Sequence, residues 1–289
     1  MRFGSIFRGN RGGIEGNGSP DQILPVSDCA FECDSCTAKF PSSVKIERDG
    51  LLWGTAKPWR SHVLVATGKS DWAHGLEDEA GSLSTVLANW HPTTTGGKRT
   101  IVSNSSLPPP ADYFTTTDRD KASNVFVLPA QITATNVRAS VAQKVTDQLL
   151  AFNEPPVSTT KAALPEEIDG AKISRQDHLA VILLCSHRTR DKRCGVTAPI
   201  LRKELELQLR EHDLFRDATD DRPGGVPIYY VSHVGGHKFA GNVIIYRNTG
   251  DGIWMGRVEP KHCKAIVEET VIKGNVFPEY LRQAFKSEW

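Results

Sequence analysis

The second half of the chain alternates short apolar runs with turns and amphipathic stretches. His178–Cys185 contains the uninterrupted apolar core AVILL, which is typical of a strand buried on both faces. Three further strands are predicted at Val226–Ser232, Asn242–Tyr246 and Ile253–Val258. The turn-forming residues 248–252 join the last two of these strands into a hairpin.

Helical spacing is present between and after these strands. The leucines within Leu201–Leu209 recur on one face, and Thr197 followed by Pro199 predicts where that helix begins. Two more helices are predicted at Glu259–Val271 and Pro278–Phe285. The resulting order β-α-β-β-β-α predicts an α/β domain of the thioredoxin-like kind, with a mixed sheet, over residues 177–289.

Residues 45–154 show the same alternation more weakly. Strands are predicted at His62–Ala66, Thr100–Ser103 and Asn124–Leu128, and helices at Ser82–Trp90 and Ser140–Phe152. The order β-α-β-β-α predicts a second α/β region in the N-terminal half. Since element order alone does not establish a repeat, a degenerate thioredoxin-like plan for this region stays a hypothesis.

Two polar segments flank that region. Residues 155–176 contain several prolines and polar residues without a clear period, which predicts a linker between the two α/β regions. Residues 1–44 are rich in Gly, Ser and Asp, and they predict an irregular N-terminal segment. This segment carries Cys29, Cys33 and Cys36, an incomplete ligand set for which a second metal site and ordinary thiols both stay open.

Charge and hydropathy exclude several classes of partner. The chain has 35 Lys and Arg against 34 Asp and Glu, so we expect neither nucleic acid nor a membrane surface as a partner. No apolar run reaches the ~18 residues of a membrane span, and no secretory signal is expected because residues 1–13 lack its apolar region. A reducing compartment is therefore expected, the cytoplasm first, with a mitochondrial location as the alternative because residues 1–13 hold three arginines.

Four candidate ligands follow the ends of two predicted strands. Cys185 and Cys194 bracket the loop after the first strand, and His233 and His237 follow the next strand. Because adjacent strand ends bring their loops together, we expect the four side chains to converge. Thiolate and imidazole suit zinc, copper and iron–sulfur clusters.

Three interpretations of these residues stay open at this point. The eight residues between Cys185 and Cys194 exceed the usual zinc-finger spacing of about two to four, which favours a two-iron cluster over a zinc-stabilised interaction module. A thiol-disulfide oxidoreductase of thioredoxin-like type would use the same two cysteines. That alternative is less favoured because their spacing is not the Cys-x-x-Cys that tunes a reactive thiol. No catalytic acid/base pair is identified, so an electron carrier is expected more than a stand-alone enzyme.

The motifs resemble a known family. The strand–Cys–loop–Cys-Gly–helix unit followed by HVGGHK, together with LLWGTAKPW, HVLVATGKSDW and the Cys29–Cys36 segment, is similar to the sucrase/ferredoxin-like family and its fungal bis-histidinyl, non-Rieske 2Fe–2S proteins. The resemblance implies a 2Fe–2S cluster with Cys185, Cys194, His233 and His237 as ligands. It further implies electron transfer in redox homeostasis or in defence against oxidative or metal stress, with a flavin-containing reductase as electron donor.

Such ligation would affect the charge and the reduction potential of the cluster. An oxidised cluster with four thiolate ligands carries a charge of about −2, whereas one with two thiolates and two neutral imidazoles carries about 0. We therefore expect a reduction potential above that of plant-type ferredoxins, and we expect this potential to depend on pH. The pairing places both histidines on one iron, the outer one. His187, inside the cysteine loop, is expected to be exposed to solvent.

Two further features concern partners. The cysteine loop contains Arg188, Arg190, Lys192 and Arg193, which predict either a solvated loop or a docking patch for an acidic redox partner. The terminal residue Trp289 resembles the C-terminal signal by which cytosolic iron–sulfur clients bind their targeting complex, which favours the cytoplasm.

Overall fold

A computed structural model describes residues 19–29, 32, 37–78, 82–92, 99–118, 120–153, 163–218, 220 and 222–286. Within these residues the chain forms one mixed, twelve-stranded sheet with helices packed against it, so the predicted α/β class is confirmed. None of the described helices is long and apolar enough to cross a membrane.

The strands and helices are numbered along the chain. The strands are β1 Ser61–Ala66, β2 Thr100–Ser105, β3 Ser123–Leu128, β4 Ile132–Val137, β5 Glu167–Ile168, β6 Ala171–Arg175, β7 Ala180–Cys185, β8 Phe215–Arg216, β9 Val226–Val231, β10 Val243–Arg247, β11 Gly252–Met255 and β12 Leu281–Phe285. The helices are α1 Pro20–Ile23, α2 Leu83–Ala88, α3 Ala142–Ala151, α4 Lys192–Glu211 and α5 Cys263–Ala265, which continues as the π-helix Ile266–Lys273.

The sheet is built from two units with the same strand plan. Its order is β12-β11-β10-β7-β9-β2-β1-β3-β4-β6-β5, and β8 pairs with β9 outside this path. In each unit a helix joins two parallel strands, β7 to β9 and β1 to β2, and an antiparallel strand lies on the other side of the first. The units meet where Ser105 of β2 pairs antiparallel with Val231 of β9. This topology supports the hypothesis that the N-terminal half repeats the plan of the C-terminal half.

The helix α4 begins earlier than the sequence predicts. The carboxylate of Asp191 caps it by accepting a hydrogen bond from the Arg193 N–H at 2.9 Å, whereas Thr197 had been expected to cap it. Pro199 consequently lies inside the helix rather than in its first turn, and the helix loses one backbone hydrogen bond there. The early start places Cys194 in the first turn, beside Cys185 at the end of β7.

Two other segments differ from their predictions. Of the predicted helix Pro278–Phe285, Pro278–Tyr280 forms a 3-10 turn, and Leu281–Phe285 is the edge strand β12, paired antiparallel with β11. This pairing satisfies backbone groups that β11 would otherwise expose, and it overrides the apolar spacing.

The predicted linker 155–176 is also incorrect over its described part. Residues 163–176 contain β5 and β6, and β6 pairs with β4. Asp169 and Gly170 both have positive φ, as a tight two-residue hairpin turn requires. The sheet therefore continues through this segment.

The two halves also share a core. On one face of the sheet, Leu64 and Phe126 of the N-terminal half belong to the same buried cluster as Leu183 and Trp254 of the C-terminal half. At this contact the buried ring of His62 lies 3.0 Å from the hydroxyl of Tyr246 and 2.9 Å from that of Ser103. The N-terminal half thereby supports the strand ends that carry the candidate ligands.

Candidate cysteine–histidine site

The four candidate ligands lie at one edge of the sheet. Cys185 ends β7 and pairs with Val231, the last residue of the parallel strand β9, so the two strands end side by side. His233 follows β9 by two residues, and His237 opens a 3-10 turn. The parallel pairing brings both loops to the same place, as the sequence predicts.

The two thiols are buried, reduced and in contact with each other. The exposed fraction is 4% for Cys185 and 1% for Cys194, and neither forms a disulfide. The Cys194 thiol donates a hydrogen bond to Cys185, and this bond is the main reason that the pKa of Cys185 is held well below its ordinary value. The His233 ring and the backbone N–H of Val234 add to the effect, while burial opposes it. The same bond, together with burial, raises the pKa of Cys194. The pair is therefore poised to hold one negative charge between two sulfurs.

The two imidazoles lie next to each other on the outer side of the thiols. Their ring centroids are 5.3 Å apart, and the planes are tilted by 38°. The Nδ1 atoms of His233 and His237 are both buried and have no hydrogen-bond partner among the described residues. The Nε2 atom of His237 lies 3.9 Å from a carboxylate oxygen of Asp191. Buried polar atoms nearly always have a hydrogen-bond partner. These two nitrogens have none among the described residues, so they are available to bind a ligand.

A third histidine fixes the loop that carries His233. The structure buries His187 to 3% exposure, so the expectation that it is solvent-exposed is wrong. Its Nδ1 accepts a hydrogen bond from the His233 backbone N–H at 3.1 Å, and its Nε2 lies 3.1 Å from the Trp72 carbonyl oxygen. Both ring nitrogens are thus engaged, and His187 acts on the site through the backbone.

A buried arginine lies behind the histidine loop. Arg282, on β12, is 2% exposed and donates to the Gly235 carbonyl at 2.9 Å and to the Asn242 side chain at 2.6 Å. No carboxylate pairs with it among the described residues, and the negative charges that act on it are those of Cys185 and Cys194. Burial lowers the pKa of Arg282 to about 10, so the guanidinium stays charged at neutral pH. The site therefore holds one fixed positive charge.

Other residues considered from the sequence lie elsewhere. Cys29 is on the surface, where it accepts a hydrogen bond from Ser27, and the described structure brings no second cysteine to it. Cys33, Cys36 and Trp289 lie outside the described residues.

The arrangement can be tested against the groups that thiols and imidazoles bind. Within the part of the chain that is described, no three His, Cys, Asp or Glu side chains stand close enough to hold a single metal ion. A tetrahedral zinc site would need such a group. A two-iron cluster needs two protein ligands for each iron, and the site offers one pair of thiols and one pair of unbonded imidazole nitrogens. The kind and number of these donors fit the ligand set of a binuclear cluster.

Comparison with known proteins assigns the chain to a family. The model of the Sucrase/ferredoxin-like family matches residues 52–283. The "Actin patches distal protein 1" of Saccharomyces cerevisiae is 35% identical over 269 residues, which cover 88% of this chain and 83% of that protein. The "Altered inheritance of mitochondria protein 32" of Debaryomyces hansenii is 29% identical over 283 residues, covering 89% and 95%. No solved structure matches the chain significantly. The chain belongs to the sucrase/ferredoxin-like family.

Proposed function

We propose that the protein carries single electrons on a 2Fe–2S cluster bound by Cys185, Cys194, His233 and His237. One observation carries the proposal: two buried imidazole nitrogens without hydrogen-bond partners lie beside two buried, reduced thiols. An unpaired buried nitrogen costs free energy unless something binds it, and two of them in neighbouring rings point to a shared group. When bound, the cluster would supply reversible one-electron chemistry.

The proposed site would have a buried cysteine end and a more exposed histidine end. The two cysteines are inside the protein, whereas the His237 side chain is 44% exposed. Asp191 faces the Nε2 of His237, and a carboxylate in that position orients a ligating imidazole and raises its basicity. Electrons would therefore enter and leave at the histidine end, with both histidines on the outer iron.

The charges of the ligands and of Arg282 determine the reduction potential that we expect. Two neutral imidazoles in place of two thiolates make the cluster less negative, and Arg282 adds a buried positive charge. Both effects favour the reduced state, so we expect a potential above that of plant-type ferredoxins. Because an imidazole ligand binds its second proton more tightly when the iron is reduced, the potential should fall as the pH rises.

The two alternatives make different demands on the site. A thiol-disulfide oxidoreductase needs an attacking thiol that a substrate can reach, and the cysteines here are 4% and 1% exposed. A zinc-stabilised module needs four ligands around one ion, whereas the described residues include no such group. Neither alternative explains why the two thiols are neighbours and the two imidazoles are neighbours.

The deciding experiment is chemical analysis of anaerobically purified protein. We expect two irons and two acid-labile sulfides for each chain, visible absorption, and a paramagnetic signal after reduction. Cys194→Ser should lose the cluster, whereas Cys263→Ser, a control at a cysteine buried in the core away from the site, should retain it. Colourless protein with one zinc, or with no metal, would overturn the proposal.

A partner and a compartment complete the proposal. Arg188 and Lys192 of the cysteine loop are exposed, while Arg193 is paired with Asp191 at 2.8 Å, so part of the basic loop remains available for an acidic partner such as a flavin-containing reductase. We propose the cytoplasm as the compartment and loading by the cytosolic targeting complex through Trp289. The name of the Debaryomyces hansenii relative connects that protein with mitochondria, so the mitochondrion is retained as the alternative compartment.

A further inference from the structure

A cavity of about 250 Å³ opens beside the candidate ligand His233. One wall is formed by the segment 72–77 of the N-terminal half, and the other by His187, Arg190 and the start of the histidine loop. The volume lies just below the range of pockets for drug-sized ligands, so it suits a molecule of a few heavy atoms. None of the four proposed cluster ligands except His233 lines it.

The floor of the cavity contains an unsatisfied donor. Asn104 is fully buried, and its side-chain oxygen accepts a hydrogen bond from the hydroxyl of Ser84. Its backbone N–H and C=O are both bonded to Ser232, at 3.0 and 2.9 Å. The side-chain Nδ2 is left without a partner among the described residues. A buried amide donor that lines a cavity and lacks an acceptor marks a place for a ligand oxygen.

A positive charge stands at the same cavity. Arg190 is exposed, and within the described structure its only bonds run from Nη1 to His74, at 2.7 Å to the ring Nδ1. The remaining guanidinium N–H groups are left to bind an acceptor. A guanidinium and an amide N–H that line one cavity suit a carboxylate, because its two oxygens can each accept a hydrogen bond from a different group.

The lining also limits the charge of the ligand. Glu77 is the acidic side chain among the described lining residues, and its carboxylate folds over Gly75. One guanidinium and one carboxylate leave the cavity close to neutral, which disfavours a multiply charged phosphate. His187 adds no charge that is free to bind, because both of its ring nitrogens are engaged.

We propose that this cavity binds a small organic carboxylate, held by Arg190 and Asn104 next to His233. Ser232 accepts a hydrogen bond from Asn104 and directly precedes His233, and His187 lines the cavity and accepts from the His233 N–H. Occupancy should therefore also change the visible absorption of a bound cluster. This second effect rests on the proposed function, whereas the binding of the carboxylate does not.

Saturation-transfer NMR on the full chain tests the binding, with acetate as the probe. We expect transfer to the acetate methyl group, about tenfold weaker binding in Arg190→Gln, and loss of binding in Asn104→Asp, which places a carboxylate in the cavity. Arg188→Gln is the matched control, because it removes the same charge from the same loop at a residue that does not line the cavity. Equal loss in the control, or displacement of acetate by inorganic phosphate at the same ionic strength, would overturn the assignment.

The outcomes also separate this inference from the proposed function. If the protein contains the cluster but acetate shows no saturation transfer, the cavity proposal fails while the proposed function stands. If acetate binds to a protein that lacks iron, the proposed function fails while the cavity proposal stands. Arg190 is exposed, so Arg190→Gln should fold even where Asn104→Asp does not.

Discussion

The Nδ1 atom of His187 accepts a hydrogen bond from the backbone N–H of His233 at 3.1 Å. With its other nitrogen the same ring reaches the carbonyl of Trp72 at 3.1 Å, so one buried side chain connects the histidine loop with the N-terminal half. The ring also packs edge-on against the indole of Trp72, with centroids 5.8 Å apart. This histidine determines where the His233 backbone lies without binding a ligand itself.

Replacing that ring should loosen the loop. His187→Leu leaves the His233 N–H and the Trp72 carbonyl unpaired, and we expect the free energy of unfolding to fall by about 1–3 kcal/mol. In protein that holds the proposed cluster, iron should also be released faster to a chelator. Urea denaturation and the rate of iron release measure the two effects. His74→Leu, at an exposed residue of the same cavity, should change the free energy by less than about 0.5 kcal/mol; an equal change in both variants would contradict the role of His187.

The buried charge of Arg282 should set the potential of the site. Arg282→Met removes a cation that stabilises the reduced state, so we expect the potential to fall by roughly 50–100 mV, as measured by redox titration. In cluster-free protein the pKa of Cys185 should rise, because its thiolate loses a nearby positive charge. Arg282→Lys should restore part of both effects.

Arg257 offers the matched control for this prediction. It is also a buried arginine, at 9% exposure, and its guanidinium donates to the carbonyls of Glu47 at 2.6 Å and Gly50 at 3.0 Å. Arg257→Met should therefore cost stability without moving the potential. If the two methionine variants lower the potential equally, Arg282 has no specific electrostatic effect on the site.

The proposed histidine ligands should make the reduction potential depend on pH. We expect the wild-type potential to fall between about pH 6 and 9, because an oxidised iron favours loss of the second imidazole proton. His237→Cys should keep a cluster, lower the potential and weaken this dependence, since a thiolate brings negative charge and no exchangeable proton. A voltammetric series over pH checks the wild type and the variant. A flat wild-type profile would argue against histidine ligation.

A different histidine, His62, should contribute to the acid stability of the sheet, together with His262, whose pKa burial lowers to about 4. Burial lowers the pKa of His62 from 6.5 to about 3, so the folded protein holds the ring neutral while the unfolded chain protonates it below pH 6.5. Stability should therefore be lost as the pH falls from 6.5 towards 3, by at most about 1.4 kcal/mol for each pH unit. Denaturation at pH 7 and pH 4.5 measures this loss. His62→Gln should reduce the difference, and an unchanged pH dependence would show that other groups cause it.

Sequence patterns predicted that the cysteine and histidine loops meet, because these patterns concern local features. A continuous apolar run marks a buried strand, and the residues after such strands meet at a sheet edge, which was enough to bring Cys185 close to His233. The start of α4 was harder, because Asp191 and Thr197 are both acceptable capping residues and only the contacts in the folded protein distinguish them.

The remaining features depend on contacts that are distant in sequence. The partners of Arg282 are the carbonyl of Gly235, the side chain of Asn242 and the segment around Thr55, none of which carries a charge that a pattern would show. The strand β12 lies where an apolar spacing suggested a helix, because pairing with β11 decides its conformation. Residues 155–176 were predicted to be a linker, but the Asp-Gly pair at 169–170 is typical of a hairpin turn and could have indicated the strands β5 and β6.

The junction of β2 with β9 makes the chain resemble a dimer joined into one polypeptide. The residue at the end of β1 that corresponds to Cys185 is Ala66, which cannot bind a metal, so only one of the two units has the proposed chemistry. The other unit pairs with the end of β9 at Val231, a backbone edge that would otherwise be open to pairing with another chain. Separating the two halves would consequently leave the end of β9 unpaired in the cysteine-bearing unit, and we expect that unit to aggregate more readily than the whole chain.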